Sequence, residues 1–169
     1  MKHGNIEVIC GNGKGKTALA VGKGVIALTR QKSVIMIQFL KGSPKQEGLE
    51  VLKCMEPQFK VFRFEKADMH FENLSEEERQ EELLNIRNGF NFAKKVVATR
   101  ECDLLILDEV LGILEKNIVT FEEFKKLIEG KEDGMGLVLT GRVFPEQLRP
   151  YVDAVSSIQY VEVDKQNQE

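Results

Sequence analysis

Cysteine and histidine are scarce in this sequence, tryptophan is missing, and no stretch stays apolar for long. The 169 residues include three cysteines, two histidines, four prolines, two tyrosines and no tryptophan. Cys10, Cys54 and Cys102 form an odd set without CxxC spacing, which argues against a disulfide framework and for reduced thiols in a cytoplasmic setting. His3 and His70 lie far apart and the cysteines are scattered, so no zinc site is expected. No apolar run approaches the ~18 residues of a membrane span. The opening residues, Met1-Lys2-His3-Gly4 followed by Ile6–Cys10, lack the basic, apolar and cleavage regions of a signal peptide. Positive charge is not in excess: 24 basic and 27 acidic side chains leave a formal −3. Neither nucleic acid nor an anionic membrane is therefore an expected partner.

What is present is an ordinary globular composition, 42% hydrophobic and 30% charged. At roughly 150 residues per domain the length suits one domain, expected over residues 1–161, with 162–169 as a polar tail. A chain of this size typically buries roughly 70% of its unfolded surface, so it needs no metal or disulfide to fold. Ile6–Cys10 is a short strand. Lys16–Arg30 has helical composition, weakened by Gly22 and Gly24. Ser33–Leu40 is a nearly continuous apolar run, the pattern of a strand buried on both faces. Gly42–Gly48 reads as a loop, and Phe59–Phe64 alternates with period two, as a strand nearer the sheet edge. Ser75 and Glu78 form a capping box before a helix with Leu83, Ile86, Phe90, Ala93 and Val97 on its core stripe. Leu104–Leu107 is a further buried strand. Thr120 and Glu123 repeat the capping box ahead of Phe124, Leu127 and Ile128. Gly136–Thr140 is another strand, Pro145 suits the first turn of a short helix, and Ser156–Val163 is the expected last strand. Alternating strands and helices predict an α/β fold, a mostly parallel sheet with helices on both faces, whose ligands bind at the carboxyl ends of the strands.

The strongest motif follows the first strand directly: Gly11-Asn12-Gly13-Lys14-Gly15-Lys16-Thr17. A glycine-rich turn between strand and helix, ending in Gly-Lys-Thr, is the context of a phosphate-binding P-loop. Glycines let the main chain turn its N–H groups inward, and the helix sets its positive end beneath an anion. Lys16 supplies a charge for phosphate oxygens, and the Thr17 hydroxyl is a Mg²⁺ ligand in such loops. The pattern G-x-x-x-x-G-K-[ST] asks for glycine at position 10, where this chain has Cys10. Leu104–Leu107 runs into Asp108-Glu109, as in a Walker B segment, which would place a carboxylate beside Thr17 to hold Mg²⁺. Thr140-Gly141-Arg142 ends another strand at the same sheet edge, where Arg142 could fork onto phosphate oxygens.

Together, Gly11–Thr17 (GNGKGKT), Ile37–Gly42 (IQFLKG), Asp103–Glu109 (DLLILDE) and Leu139–Arg142 (LTGR) resemble the bacterial ATP:corrinoid adenosyltransferases of the P-loop class, collinearly from about Ile6 to Ser157. The resemblance implies a RecA-like fold, ATP as co-substrate with Mg²⁺, a reduced corrinoid as second substrate, a homodimer, and a reductase that supplies cobalt(I). It implies attack of cobalt(I) on the 5′ carbon of ATP with loss of triphosphate, the nucleotide being held reversed relative to ordinary P-loop hydrolases. Gly11, Asn12, Gly13, Lys14, Gly15, Lys16, Thr17 and Arg142 would then bind ATP, and Thr17, Asp108 and Glu109 would serve the metal. No catalytic Ser, Cys or His is implied. The chain departs from the family pattern at Ala18, at Ile26 (commonly arginine), at Val143, in Glu65–Phe71 (no tryptophan where the family carries Gly, Phe and Trp near the corrinoid), and in the polar tail Glu162–Glu169. These departures fall mostly on the corrinoid and nucleoside sides. The alternative reading is therefore a non-catalytic ATP-binding paralogue that has lost the corrinoid site.

Overall fold

The computed structural model describes residues 5–39, 49–64 and 73–163. Within them six strands form one parallel sheet: β1 (Ile6–Cys10), β2 (Val34–Gln38), β3 (Phe59–Arg63), β4 (Leu104–Asp108), β5 (Gly136–Thr140) and β6 (Ala154–Ser157). They are joined by helices α1 (Lys16–Thr29), α2 (Glu76–Thr99), α3 (Val110–Glu115) and α4 (Phe121–Glu129), and by 3-10 helices at Leu49–Met55 and Glu146–Tyr151. The expected α/β architecture is what the chain adopts. None of the described helices is long and apolar enough to cross a membrane.

The strand order is β3-β2-β4-β5-β1-β6, with every pairing parallel. From β1 the chain moves outward to β2 and β3, then returns through β4 and β5 and passes β1 to reach β6. Right-handed crossovers put connections that run in opposite directions on opposite faces. Accordingly Ala20 and Ala27 of α1, with Leu52, pack on one face, and α2, α3 and α4 pack on the other. The period of two along each strand sorts side chains between these cores. Val34, Met36, Ile106 and Val138 face α1, while Ile35, Ile37, Leu105, Leu107, Leu137 and Leu139 face the other helices.

Gly24, which weakens α1 by propensity, has a packing reason: it is buried where the helix crosses Phe59 and Ile106, and a Cβ there would run into the Phe59 ring. The Ser75–Glu78 and Thr120–Glu123 capping boxes both form, and Ile86, Phe90, Ala93 and Val97 lie buried on the expected stripe of α2.

Several boundaries differ from the sequence reading. α1 ends at Thr29, not Arg30. The last strand covers Ala154–Ser157 rather than Ser156–Val163, because beyond Ser157 the chain leaves the ladder and packs on the loop after β1. Pro145 stands just before its short helix, at the cap position. Helix α3 and the 3-10 helix at Leu49–Met55 were not anticipated. His3, His70, Leu40–Gly42 of the IQFLKG element, the Gly42–Gly48 loop, the Glu65–Phe71 segment and the tail beyond Val163 lie outside the described residues.

Candidate functional site

The loop between β1 and α1 is shaped by where the left-handed turns fall. Cys10 is still strand, paired with Ser157, and the first positive φ, 112°, comes at Gly11. A Cβ is thus tolerated at position 10, where the common pattern has glycine. Gly15, at φ 103°, caps α1, and a Cβ built on it meets nothing within 4 Å; its backbone conformation, not its space, requires glycine. The Gly11 N–H donates to the Arg142 carbonyl at 2.8 Å and the Gly13 N–H to the Ile158 carbonyl at 2.9 Å. Lys16 reaches back across the loop and donates from Nζ to the carbonyls of Gly11 and Gly13, both at 2.8 Å. The amino end of α1 completes the cradle, since the first N–H groups of a helix have no partner within it and favour an anion.

Beneath the start of α1, three strands end on a polar residue in the row that faces this helix: Gln38 after Val34 and Met36, Asp108 after Ile106, and Thr140 after Val138. Gln38 and Asp108 are register partners. Asp108 is fully buried, at 0% exposure. Its carboxylate accepts from Thr17 Oγ1 at 3.1 Å to each oxygen, from Gln38 Nε2 at 3.0 Å and from Thr140 Oγ1 at 2.6 Å. Charge-assisted bonds of this kind are the strong ones, and a buried carboxylate needs them to offset desolvation. The Thr140 hydroxyl also accepts from the Glu109 main-chain N–H at 2.8 Å. Because β5 lies between β4 and β1, its last residues join the two halves: Thr140 holds the end of β4, the Gly141 N–H donates to Ile9, and Arg142 receives Gly11.

Of the sequence-predicted residues, the structure brings Lys16, Thr17 and Asp108 into one hydrogen-bonded group with the loop glycines. Glu109 follows at φ 62° as the residue capping α3. Asn12, Lys14 and Arg142 are exposed beside the loop. Gln38 and Thr140 carry interactions that the sequence reading did not assign, although each was visible as the polar residue closing or interrupting an apolar run. Ile158 had no such signal. The Cys10 thiol is pushed up by burial, with Lys16 opposing.

Thr17 and Asp108 offer hard oxygen donors side by side. Mg²⁺ takes one or two protein oxygens and fills its octahedron with phosphate and water, so this donor set fits it. Among the described residues no group of three or more His, Cys, Asp or Glu side chains could hold a metal ion.

Comparison with known proteins extends these observations. A solved KaiC-like protein from Pyrococcus horikoshii shares the fold with a TM-score of 0.59 at 16% identity, over 96% of this chain and 75% of the other; the fold is thus of the RecA-like P-loop type. The corrinoid adenosyltransferase of Escherichia coli K12 is 26% identical over 161 residues, 95% of this chain and 79% of the relative. The corrinoid adenosyltransferase CobA of Salmonella typhimurium matches with the same identity and coverage. The model of the family ATP:corrinoid adenosyltransferase BtuR/CobO/CobP matches residues 2–168. With the Gly-Lys-Thr loop drawn onto Asp108 and the match running almost end to end, the chain belongs to the ATP:corrinoid adenosyltransferase family.

Proposed function

We propose that this protein transfers the 5′-deoxyadenosyl group of ATP to the reduced cobalt of a corrinoid and releases triphosphate. The cobalt(I) of the substrate is the nucleophile. Its electron pair forms the cobalt–carbon bond as the bond from C5′ to the triphosphate oxygen breaks, and that bonding pair leaves with the triphosphate. The difficult chemistry belongs to the corrinoid, and the chain needs no side-chain nucleophile or base. Its work is to hold the nucleotide in line and neutralise the leaving group. The loop from Gly11 to Thr17 receives the triphosphate. Lys16 turns from its own loop carbonyls to phosphate oxygens, and Lys14 and Arg142 add positive charge from the exposed side. Thr17 and Asp108 would hold Mg²⁺, with Glu109 beside them; the ion supplies charge neutralisation to the triphosphate. A homodimer, a cytoplasmic setting and a reductase that delivers cobalt(I) belong to the same proposal.

The observation that carries the reading is the Thr17–Asp108 pair beneath a Gly-Lys-Thr loop, in a chain matched to the family over residues 2–168. The test supplies ATP with chemically reduced cob(I)alamin and follows both products. Adenosylcobalamin and triphosphate in equal amounts are expected. Neither product, from folded protein that binds ATP, overturns the reading, and release of ADP or phosphate would indicate an ordinary ATPase or kinase.

A second reading, an ATP-binding paralogue without corrinoid chemistry, is favoured by one observation. Ile26, which replaces the arginine common in the family, is 56% exposed on α1, so its apolar side chain is not there to fill the core. Titration with cob(II)alamin separates the two: a protein that binds ATP tightly and no corrinoid is the paralogue.

A further inference from the structure

The loop glycines divide into two kinds. Gly15 is open around its Cβ position, but Gly11 and Gly13 are not: a Cβ on Gly11 would run into the Ile158 carbonyl, and one on Gly13 would lie 2.6 Å from Ile158 Cγ2 and 2.9 Å from the Ile158 oxygen. Gly13 requires glycine because Ile158 and Gln159 press against the back of the loop, and Gly11 requires it both for its contact with Ile158 and for its φ of 112°. The contact is hydrogen-bonded along its length. The Ile158 N–H donates to Cys10 at 2.8 Å, the Gly13 N–H donates to Ile158 at 2.9 Å, and the Tyr160 N–H donates to the side-chain Oδ1 of Asn12 at 3.2 Å. The pairing of β1 with β6 is thereby carried past the end of both strands onto the loop.

The bonds on Gly11 and Gly13 come from two sides. The N–H of Gly11 is held by Arg142 and that of Gly13 by Ile158, while both carbonyls are held by Lys16. When a polyphosphate draws Lys16 away, the Arg142 and Ile158 bonds remain to keep the loop in shape. We propose that residues 158–160 are the back wall of the phosphate loop, and that Asn12 is a positioning residue whose side chain clips this wall to the loop rather than contacting nucleotide. A loop kept in its bound shape loses less freedom on binding. The proposal rests on the reading of the loop as an ATP site.

The test measures two quantities on the full-length chain: the Kd for ATP with Mg²⁺, and amide hydrogen exchange over residues 158–163 in the nucleotide-free protein. Asn12→Ala is expected to speed exchange at 158–163 without nucleotide and to raise the ATP Kd about three- to tenfold, as loss of one hydrogen bond would. Gly13→Ala, which drives a Cβ into Ile158, is expected to do both more strongly. Lys16→Ala is expected to abolish tight ATP binding and leave exchange at 158–163 as in wild type. If Asn12 contacts nucleotide instead, Asn12→Ala raises the Kd with no change in the free protein's exchange, and the proposal falls. Faster exchange with an unchanged Kd also overturns it, because the wall then does not shape the loop. A wild-type chain that binds no ATP removes the ATP reading and the proposal together, whereas tight wild-type binding with an indifferent Asn12→Ala removes the proposal alone.

Discussion

Lys16 donates both of its described hydrogen bonds to main-chain oxygens of its own loop, which sets its charge over the loop. Lys16→Ala should weaken Mg²⁺-ATP binding about 10–100-fold, the loss of charged hydrogen bonds, while the unfolding midpoint changes little, because the side chain serves the loop and not the core. Equilibrium dialysis with labelled ATP checks this, and unchanged affinity would mean that the loop is not used as argued. Thr140 makes a different demand. Its hydroxyl gives the buried 2.6 Å bond to Asp108 and receives the part-buried Glu109 N–H. Thr140→Val keeps the shape and removes both bonds, which should cost about 1–3 kcal/mol of stability and raise the Mg²⁺ concentration needed for ATP binding. Thr140→Ser should restore most of both. The Gly-Lys-Thr and Asp-Glu signals were legible because they are contiguous in sequence and their chemistry is carried by residue type. Gln38 and Thr140 were visible only as letters, since their roles depend on which strands become neighbours.

At the scale of elements, helix starts were the most readable feature, because a capping box is complete within four residues. Both boxes form, and the one at Thr120 is tied further: Glu123, which accepts from the Thr120 N–H at 2.9 Å, also receives Arg87 of α2 at 2.7 Å. Thr120→Ala should lower stability by about 1 kcal/mol, read as a shift in urea midpoint with unchanged slope. Helix α3 was missed for a physical reason. Its six residues are too few to display a helical period, and it opens at Glu109 in a left-handed conformation that no composition rule requires. The starts of β2 and β4 are joined by a local device that carries a pH signature. The Ser33 main-chain N–H and hydroxyl donate to Asp103 at 2.8 and 3.0 Å, and the main-chain bond above all holds the Asp103 carboxyl below its ordinary 3.8. A carboxylate with a depressed folded pKa stabilises above its unfolded value, and that contribution is lost as pH falls through the folded value. Asp103→Asn should therefore be less stable than wild type at neutral pH, with the gap closing as pH falls below about 4. Urea titrations of both proteins from pH 7 to pH 3 would show it, and a gap independent of pH would mean that the carboxylate's charge is not what the Ser33 bonds stabilise.

For the molecule as a whole, the parallel sheet was legible from alternating elements, but the strand order was not, since nothing local says that β5 inserts between β4 and β1. That insertion lets Thr140 reach Asp108 while Arg142 reaches Gly11, so the site is a property of the assembled sheet, and nucleotide binding should report on global folding. The thiols give a way to read this. Cys54 is exposed, whereas Cys10 and Cys102 are buried, and burial pushes the Cys102 thiol up to about 12. Only the thiolate reacts, so alkylation of the native protein should stop at Cys54, and Cys102 should be labelled only from molecules whose core has opened. Mg²⁺-ATP at about 100 times its Kd should add ~2.7 kcal/mol to the native state. Where reclosing is faster than labelling, that corresponds to an approximately 100-fold slower reaction at Cys102, with Cys54 unaffected. In Lys16→Ala the same nucleotide concentration, now only about 1–10 times the weakened Kd, should slow Cys102 by no more than roughly tenfold. Mass spectrometry of timed quenches resolves the sites, and a Cys102 rate indifferent to nucleotide in a protein that binds ATP would show that the start of β4 opens by itself, without unfolding the end of the same strand that holds Asp108.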